Sequence, residues 1–325
     1  MNAADLVLGV PSKGRLQENA NAFFARAGLP VIQPGGARNY RGRLGGVDRV
    51  EVAFLSASEI TREIAAGNVH MGVTGLDLVA EEIADPAAKV HVVTELGFGF
   101  ADVVVAVPQA WIDVADMSDI ADVAVGFRHA HGHHFRIATK YVNVTRRFFS
   151  QHGISAYRIV ESLGATEGAP AAGSAEAIVD ITTTGSTLAA NGLKIVADGV
   201  ILKSQAALVA ALAADWTTEA RAAARTMLDR VGAEANARRT REVLARVDDP
   251  AAVAATVGAA FGAVLPFGLP ATGGPLVLHA APGKVPALAE HLRAAGAEMV
   301  TVKALDYVFT AANPLVEALE ARLDD

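Results

Sequence analysis

The chain has 325 residues, of which 52% are hydrophobic and 19% charged, and its formal net charge is −7. That length suits two or three domains rather than one, and the acidic balance argues against a nucleic-acid partner. With no cysteine there is no disulfide framework and no thiolate nucleophile or metal site, while the lack of an export signal or a run of about 18 apolar residues leads us to expect a cytoplasmic protein with no membrane partner.

Leu6–Val10 reads as a buried strand, and PSKGRL then turns into a helix through Arg26 that Gly28 closes. Lys13 and Arg15 flank Gly14 where strand meets helix. Cations are unfavourable at a helix N-terminus unless an anion is near, so this corner can face an anionic ligand; the plain alternative is a solvated helix start. The run GARNYRGRLGG sets Arg38, Arg41 and Arg43 among glycines, which suits a basic flap over phosphates or a solvated hairpin equally well. Val50–Leu55 is a strand and Ser58–Ala66 a helix. Val69–Val73 is a third strand, ending in Thr74-Gly75-Leu76-Asp77-Leu78. A glycine turn after a strand, with an acid opening the next helix, is where open α/β sheets bind ligands; Asp77 can equally be an N-cap.

Val90–Leu96 and Ala101–Val107 are strands with Gly97 and Gly99 between them, a crossing point between two lobes. Trp111–Asp122 looks like a connecting helix region. The run FRHAHGHH, from Phe127, lacks acids and cysteines, and Gly132 breaks its helical spacing, so a solvated loop is favoured over a metal site. Phe135–Ala138 is a strand, followed by Thr139-Lys140-Tyr141 and a helix over Val144–His152. Tyr157–Val160 is a strand.

The densest signal is AEAIVDITTTGSTLAANGL, from Ala175. An apolar strand ends in Asp180. Thr182, Thr183, Thr184, Gly185, Ser186 and Thr187 follow, and a helical pattern opens at Leu188. Unpaired backbone N–H groups, hydroxyl donors and a glycine at one helix start suit a phosphate better than a simple cap needs. Asp180 can accept from sugar hydroxyls or help hold a magnesium-bound substrate. The loop is neither a Walker A nor a GxGxxG motif. After Lys194–Val196, strands fall at Gly199–Leu202 and Ala207–Leu212, and a helix at Glu219–Arg241. The last part reads as strand Glu242–Val247, helix Pro250–Gly262, a short strand Ala263–Leu269 interrupted by Pro266, strand Pro275–Ala281, helix Lys284–Gly296 and strand Met299–Phe309. This βαββαβ order is ferredoxin-like. A terminal amphipathic helix covers Leu315–Leu323.

The hydroxyl-rich loop after Asp180 resembles the loop of phosphoribosyltransferases that binds 5-phosphoribosyl-1-pyrophosphate (PRPP). Together with PSKGRL, GVTGLDLV, RIATKY and the block from Gly164, in this order, it resembles the long form of ATP phosphoribosyltransferase over almost the whole chain. The resemblance implies an α/β fold: a two-lobed, periplasmic-binding-protein-like catalytic core plus a C-terminal ferredoxin-like (ACT-like) regulatory domain. Residues 1–98 and 198–237 would form the first lobe, 99–197 the second and 238–325 the third domain. It implies attack of adenine N1 of ATP on PRPP, the first step of histidine biosynthesis, with Mg²⁺ as cofactor. Histidine is expected as inhibitor and a homo-oligomer, dimer or hexamer, as the assembly. Asp180, Arg15 and Lys13 become the expected catalytic residues. Asp180 and residues 182–187 would hold PRPP, and Lys13, Arg15, Gly75, Asp77 and Glu167 would hold ATP. The chain departs from the family at His70, where an acid is usual, at Leu55–Ser58, which lack a basic residue, and in its terminal helix. A non-catalytic two-lobed anion-binding protein and a regulatory paralogue are the rival readings.

Overall fold

The structure is a computed structural model that describes residues 6–34, 40–162, 164–271 and 273–324. The first sheet is built from β1 (Leu6–Pro11), β2 (Val31–Ile32), β3 (Arg41–Leu44), β4 (Val50–Leu55), β5 (Met71–Gly75) and β6 (Val90–Glu95), with α1 (Gly14–Arg26), α2 (Ala57–Ala65), α3 (Leu76–Glu82) and the short α4 (Pro86–Lys89) between strands. The chain then leaves for a second sheet: β7 (Asp102–Pro108), α5 (Met117–His131), β8 (Phe135–Thr139), α6 (Val142–Gln151), β9 (Tyr157–Glu161), β10 (Ala177–Thr182), α7 (Ser186–Ala190) and β11 (Leu193–Leu202). It returns in β12 (Ala206–Ala211), which slots between β5 and β6, and continues in the long α8 (Thr218–Arg238). The sheet orders are β2-β3-β4-β1-β5-β12-β6 and β11-β7-β10-β8-β9.

Period-2 patterning explains why the first sheet is covered on both faces. Leu208 and Ala210 of β12 face the core shared with α1 and α8, whereas Ala207, Val209 and Ala211 face Ile60 and Ile64 of α2. The two strands that cross between lobes are tied by backbone hydrogen bonds: Ala101 N–H donates to Ser204 O and Ala206 N–H to Phe98 O, each at 2.9 Å. Gly97 and Gly99 take φ of 72° and 67° there, a conformation that favours glycine.

Several expectations are corrected. The histidine-rich run is not a loop: α5 extends to His131, and Gly132 ends it with φ 77°. The ring of His131 stacks on Phe127 at 4.2 Å, an apolar contact that favours continuing the helix. The helix expected from Leu188 starts at Ser186 and is only five residues long. The strand expected at Gly199–Leu202 begins already at Leu193, as one irregular strand, β11, with register shifts against β7. Of the two readings of the basic run, the hairpin fits residues 41–44: Arg41 and Arg43 lie in β3, paired antiparallel with β2 and β4, and Arg41 forms an ion pair with Glu51. Arg38 lies outside the described residues.

The third sheet has β13 (Arg241–Ala245) between β14 (Leu276–Ala280) and β15 (Val300–Ala304), all antiparallel, with α9 (Pro250–Phe261) and α10 (Val285–Ala294) on one side. The strand expected at 263–269 shrinks to a single bridge, Val264 to His279. Pro266 has no N–H to donate to a ladder. The bridge still occupies the second-strand position of a ferredoxin-like sheet. The last strand stops at Ala304 because the following backbone pairs elsewhere: Val308 N–H donates to Ala233 O of α8 at 2.9 Å. The terminal helix α11 (Pro314–Asp324) leaves this sheet and buries Val316 and Leu319 in the first core, held by Arg221–Asp324 and Arg225–Glu320 ion pairs. The expected 238–325 unit therefore loses this helix to the first lobe.

Two departures from the family pattern have local explanations. His70 is buried away from the cleft: Val7 N–H donates to its Nδ1 at 3.2 Å, which leaves Nε2–H to donate to Asp215 O at 3.0 Å, and its ring meets Trp216 edge-on. Ser56 caps α2 in a reciprocal box with Glu59, at 3.2 and 2.8 Å. That backbone N–H, then the Ser56 hydroxyl, hold the Glu59 carboxyl below the usual range, with Arg62 and Lys13 adding to the effect.

Candidate active site

A cavity of about 620 Å³ opens between the two lobes at the ends of their strands. Arg15, Gly75 and Asp77 line it from the first lobe, and Lys140, Tyr141 and Thr183 from the second. Arg15 stands in the first turn of α1, a 13-residue helix with no side-chain cap and no acid in that turn. Its leading N–H groups and the Arg15 cation thus point the same sign of charge at the cleft. Lys13 is the extended N-cap residue of this helix. It is exposed and lies outside the residues that line the cavity.

Asp77 is buried and fully engaged. Ser204 Oγ donates to Oδ1 at 2.8 Å, and the Tyr141 hydroxyl donates to Oδ2 at 2.7 Å. Asp77 N–H donates back to Ser204 Oγ at 2.9 Å. Burial, then the Asp77 charge, keep the Tyr141 hydroxyl protonated far above the ordinary phenol range. Gly75 itself caps α3, with unremarkable φ of −82°. Its importance is steric, because a Cβ there would stand 2.2 Å from Asp77 Oδ1. Gly75→Ala is therefore expected to push the carboxylate off Ser204. Loss of such a bond costs about 1.5–3 kcal/mol, readable as a lower midpoint in denaturant unfolding with the slope unchanged.

Strand β10 delivers Asp180 and the hydroxyl loop to the same end of the second sheet. Asp180 pairs with Val104 of β7, and its Oδ1 accepts from Ile181 N–H at 2.8 Å. Burial raises its pKa; the Ile181 hydrogen bond and the Lys140 charge oppose this, the nearby Glu167 charge reinforces it, and a hydrogen bond from Thr166 opposes it. Glu167 sits in a one-turn 3₁₀ segment, Thr166–Gly168, that follows Ala165 in left-handed conformation, φ 50°. Backbone of this kind gathers at ligand-binding corners.

The loop is pre-shaped by its own hydroxyls. Gly185 N–H donates to Thr182 Oγ1 at 2.8 Å, Thr184 and Ser186 hydroxyls share a 2.9 Å bond, and Thr183 Oγ1 donates to Phe100 O at 3.0 Å. Gly185 takes φ 73°, and α7 has no side-chain cap. A five-residue helix has little macrodipole, so backbone N–H groups and hydroxyls carry any anion affinity here. Of the predicted residues, Arg15, Gly75, Asp77 and Thr183 line the cavity; Lys13, Glu167, Asp180, Thr182, Thr184, Gly185, Ser186 and Thr187 are not among its lining residues. Ser204, which holds Asp77, was not foreseen. The polar triplet Lys203-Ser204-Gln205 between two strands was the available signal for Ser204.

No three histidine or acidic side chains converge on a metal-binding position among the described residues. Magnesium needs less: one or two carboxylates plus substrate phosphates suffice. Asp180, with Glu167 near it, fits that donor set.

Two α/β lobes joined by a paired crossover, with Arg15, Lys140 and Thr183 on one cleft, define a two-lobed fold with a cation-bearing cleft between its lobes. A family model described as ATP phosphoribosyltransferase matches residues 56–232. The chain belongs to the ATP phosphoribosyltransferase family, and with it to the pentosyltransferases. It is similar to the ATP phosphoribosyltransferase of Bradyrhizobium diazoefficiens, 59% identical over 322 residues with 99% of each chain covered. It is also 58% identical over 318 residues to that of Afipia carboxidovorans, with 98% of each chain covered. Among solved structures, the ATP phosphoribosyl transferase (HisG:HisZ) complex from Thermotoga maritima superposes with TM-score 0.54 and 23% identity, over 70% of this chain and 96% of that one. No helix among the described residues is long and apolar enough to cross a membrane.

Proposed function

We propose that the chain joins ATP to PRPP as the first step of histidine biosynthesis. Adenine N1 attacks C1 of the ribose, the N1–C1 bond forms as the C1–O bond to pyrophosphate breaks, and N1-(5-phosphoribosyl)-ATP and pyrophosphate leave. The observation that carries this reading is the β10–α7 corner opening beside the cleft that Arg15 lines from the opposite lobe. The ring nitrogen already holds a lone pair, so no strong base is required. Positioning and charge compensation do the chemistry.

In this reading the Thr182–Thr187 corner holds the 5-phosphate through backbone N–H groups and hydroxyls. Asp180 accepts from the ribose hydroxyls. Arg15, with Lys13 beside it, offsets the charge of the pyrophosphate and triphosphate. Asp77, with Gly75 making room for it, positions the nucleotide through the Tyr141 ring it holds, and Glu167 closes the nucleotide side. Asp180 and Glu167 are the side chains to hold a magnesium ion, which when bound supplies charge neutralisation for the leaving pyrophosphate.

A division into a first lobe of residues 1–98 and 203–237 with α11, a second lobe of residues 99–202, and a regulatory unit of residues 238–313 belongs to the same proposal, as does a cytoplasmic location. Histidine is the proposed inhibitor. A homo-oligomer built on the third domain is supported by large apolar side chains exposed on and beside its sheet, Val302 on β15 and Phe267 and Phe309 in the segments flanking it. Mixing the protein with ATP, PRPP and Mg²⁺ tests the activity. Ultraviolet absorbance of the adduct that needs all three components is expected, and histidine should reduce its rate. Binding of both substrates without absorbance would instead favour a non-catalytic anion-binding protein.

A further inference from the structure

The helix α6 begins without a cap of its own. Its N-cap residue is Tyr141, which makes no side-chain cap hydrogen bond, and its first turn carries no acid. A helix start normally needs partners for its leading N–H groups. Here the other lobe supplies them. Glu81 of α3 accepts from Asn143 N–H through Oε1 and from Val144 N–H through Oε2, both at 2.9 Å. Glu81 O accepts from Asn143 Nδ2 at 3.0 Å, and the Arg147 guanidinium donates to Ala80 O. One turn earlier on the same helix, Asp77 holds the Tyr141 hydroxyl.

The geometry points to Glu81 as a positioning residue: a carboxylate of one lobe that caps a helix of the other and so fixes the width of the cleft. The two residues immediately before α6, Lys140 and Tyr141, line the cavity from the second lobe, and α3 is preceded by Gly75 and contains Asp77, which line it from the first. A rigid helix pair joined at this point sets the distance across which the two bound substrates must meet. Misplacement of that order is costly to rate even when no contact with substrate is lost. The carboxylate also matches the positive end of the α6 dipole, so a neutral amide is a poorer cap.

The kinetic part rests on the phosphoribosyltransferase reading, whereas a distance measurement does not. Because the natural chain has no cysteine, the pair Ala66→Cys and Asp122→Cys, on exposed positions of the two lobes, accepts a donor and acceptor dye uniquely. Glu81→Ala in that background is expected to lower transfer efficiency in the free protein, and ATP with PRPP to restore it. In the unlabelled protein Glu81→Ala should lower kcat/KM about tenfold, the size of one lost helix cap, chiefly through higher KM for both substrates. Glu81→Gln, which keeps one acceptor oxygen, should fall between. Hydrogen exchange at Asn143 and Val144 should accelerate in Glu81→Ala. Unchanged transfer efficiency with accelerated exchange would overturn the proposal, leaving Glu81 a local cap. A lower melting temperature with unaltered KM and kcat would overturn it as well. If wild type shows no adduct while Glu81→Ala still widens the cleft, the enzymatic reading fails and the clasp stands.

Discussion

Asp180→Asn is expected to lose PRPP affinity by about 10- to 100-fold, the worth of charge-assisted hydrogen bonds to the ribose hydroxyls, without weakening the fold at neutral pH. Burial disfavours the Asp180 carboxylate and raises its pKa. The sign follows. A carboxyl whose folded pKa lies above its unfolded one adds stability below the unfolded pKa, and that stability is lost as pH rises through the folded pKa. Once pH has risen through that folded pKa wild type has lost the contribution, and the neutral amide avoids the desolvated charge. The melting temperature of the variant should therefore equal or exceed that of wild type near pH 7, and its relative advantage should shrink on acidification. Binding runs the other way. Wild-type PRPP affinity should fall as pH drops through the raised pKa, and the variant should be weak and flat across the same window. Calorimetric titration with PRPP and thermal melts over one pH series measure both. A variant that unfolds early yet binds normally would reassign Asp180 to the fold.

Arg15→Ala is expected to act on binding alone. Arg15 is exposed and makes no hydrogen bond or ion pair among the described residues, so little folding free energy rests on it. Removing a guanidinium from a phosphate costs about 1.5–3 kcal/mol, which corresponds to a roughly 10- to 100-fold rise in KM for a polyanionic substrate. Arg15→Lys should recover only part, because lysine keeps the charge but not the paired, planar donors. The loss should shrink at high salt, since the wild-type contact is partly screened there. Steady-state kinetics at two ionic strengths checks this. Equal KM in wild type and Arg15→Ala would remove α1 from the anion site.

Much of this site was legible because its chemistry is local. Asp180, Gly185 and the hydroxyls around it sit in one strand–loop–helix corner, and Lys13, Gly14 and Arg15 in another. The turn Gly75–Asp77 was visible as a ligand corner, but the sequence does not tell that Asp77 is occupied by Ser204, 127 positions away. The Glu81 cap on α6 is invisible for the same reason: it joins residues 62 and 63 positions apart. His70 stood out only as a departure from the family's usual acid, and the tertiary position of Val7 and Asp215 shows it to be a buried linker. The third domain was legible in order but not in extent. Residues 263–269 and 305–309 have strand-like composition, yet Pro266 and the pull of α8 on Val308 take them out of the ladder. The helix through His131 was misjudged because Gly132 was read as a break inside the histidine run rather than as the helix end.

The central claim concerns one place: residues 182–187 grip the sugar phosphate while the α1 corner faces the diphosphate. Difference density from crystals grown with PRPP and Mg²⁺ decides it. The account predicts the 5-phosphate against the backbone N–H groups of Ser186 and Thr187 with Asp180 on the ribose hydroxyls, and the pyrophosphate turned toward Arg15. A 5-phosphate bound instead at the N-terminus of α1, with the 182–187 loop untouched, would contradict it.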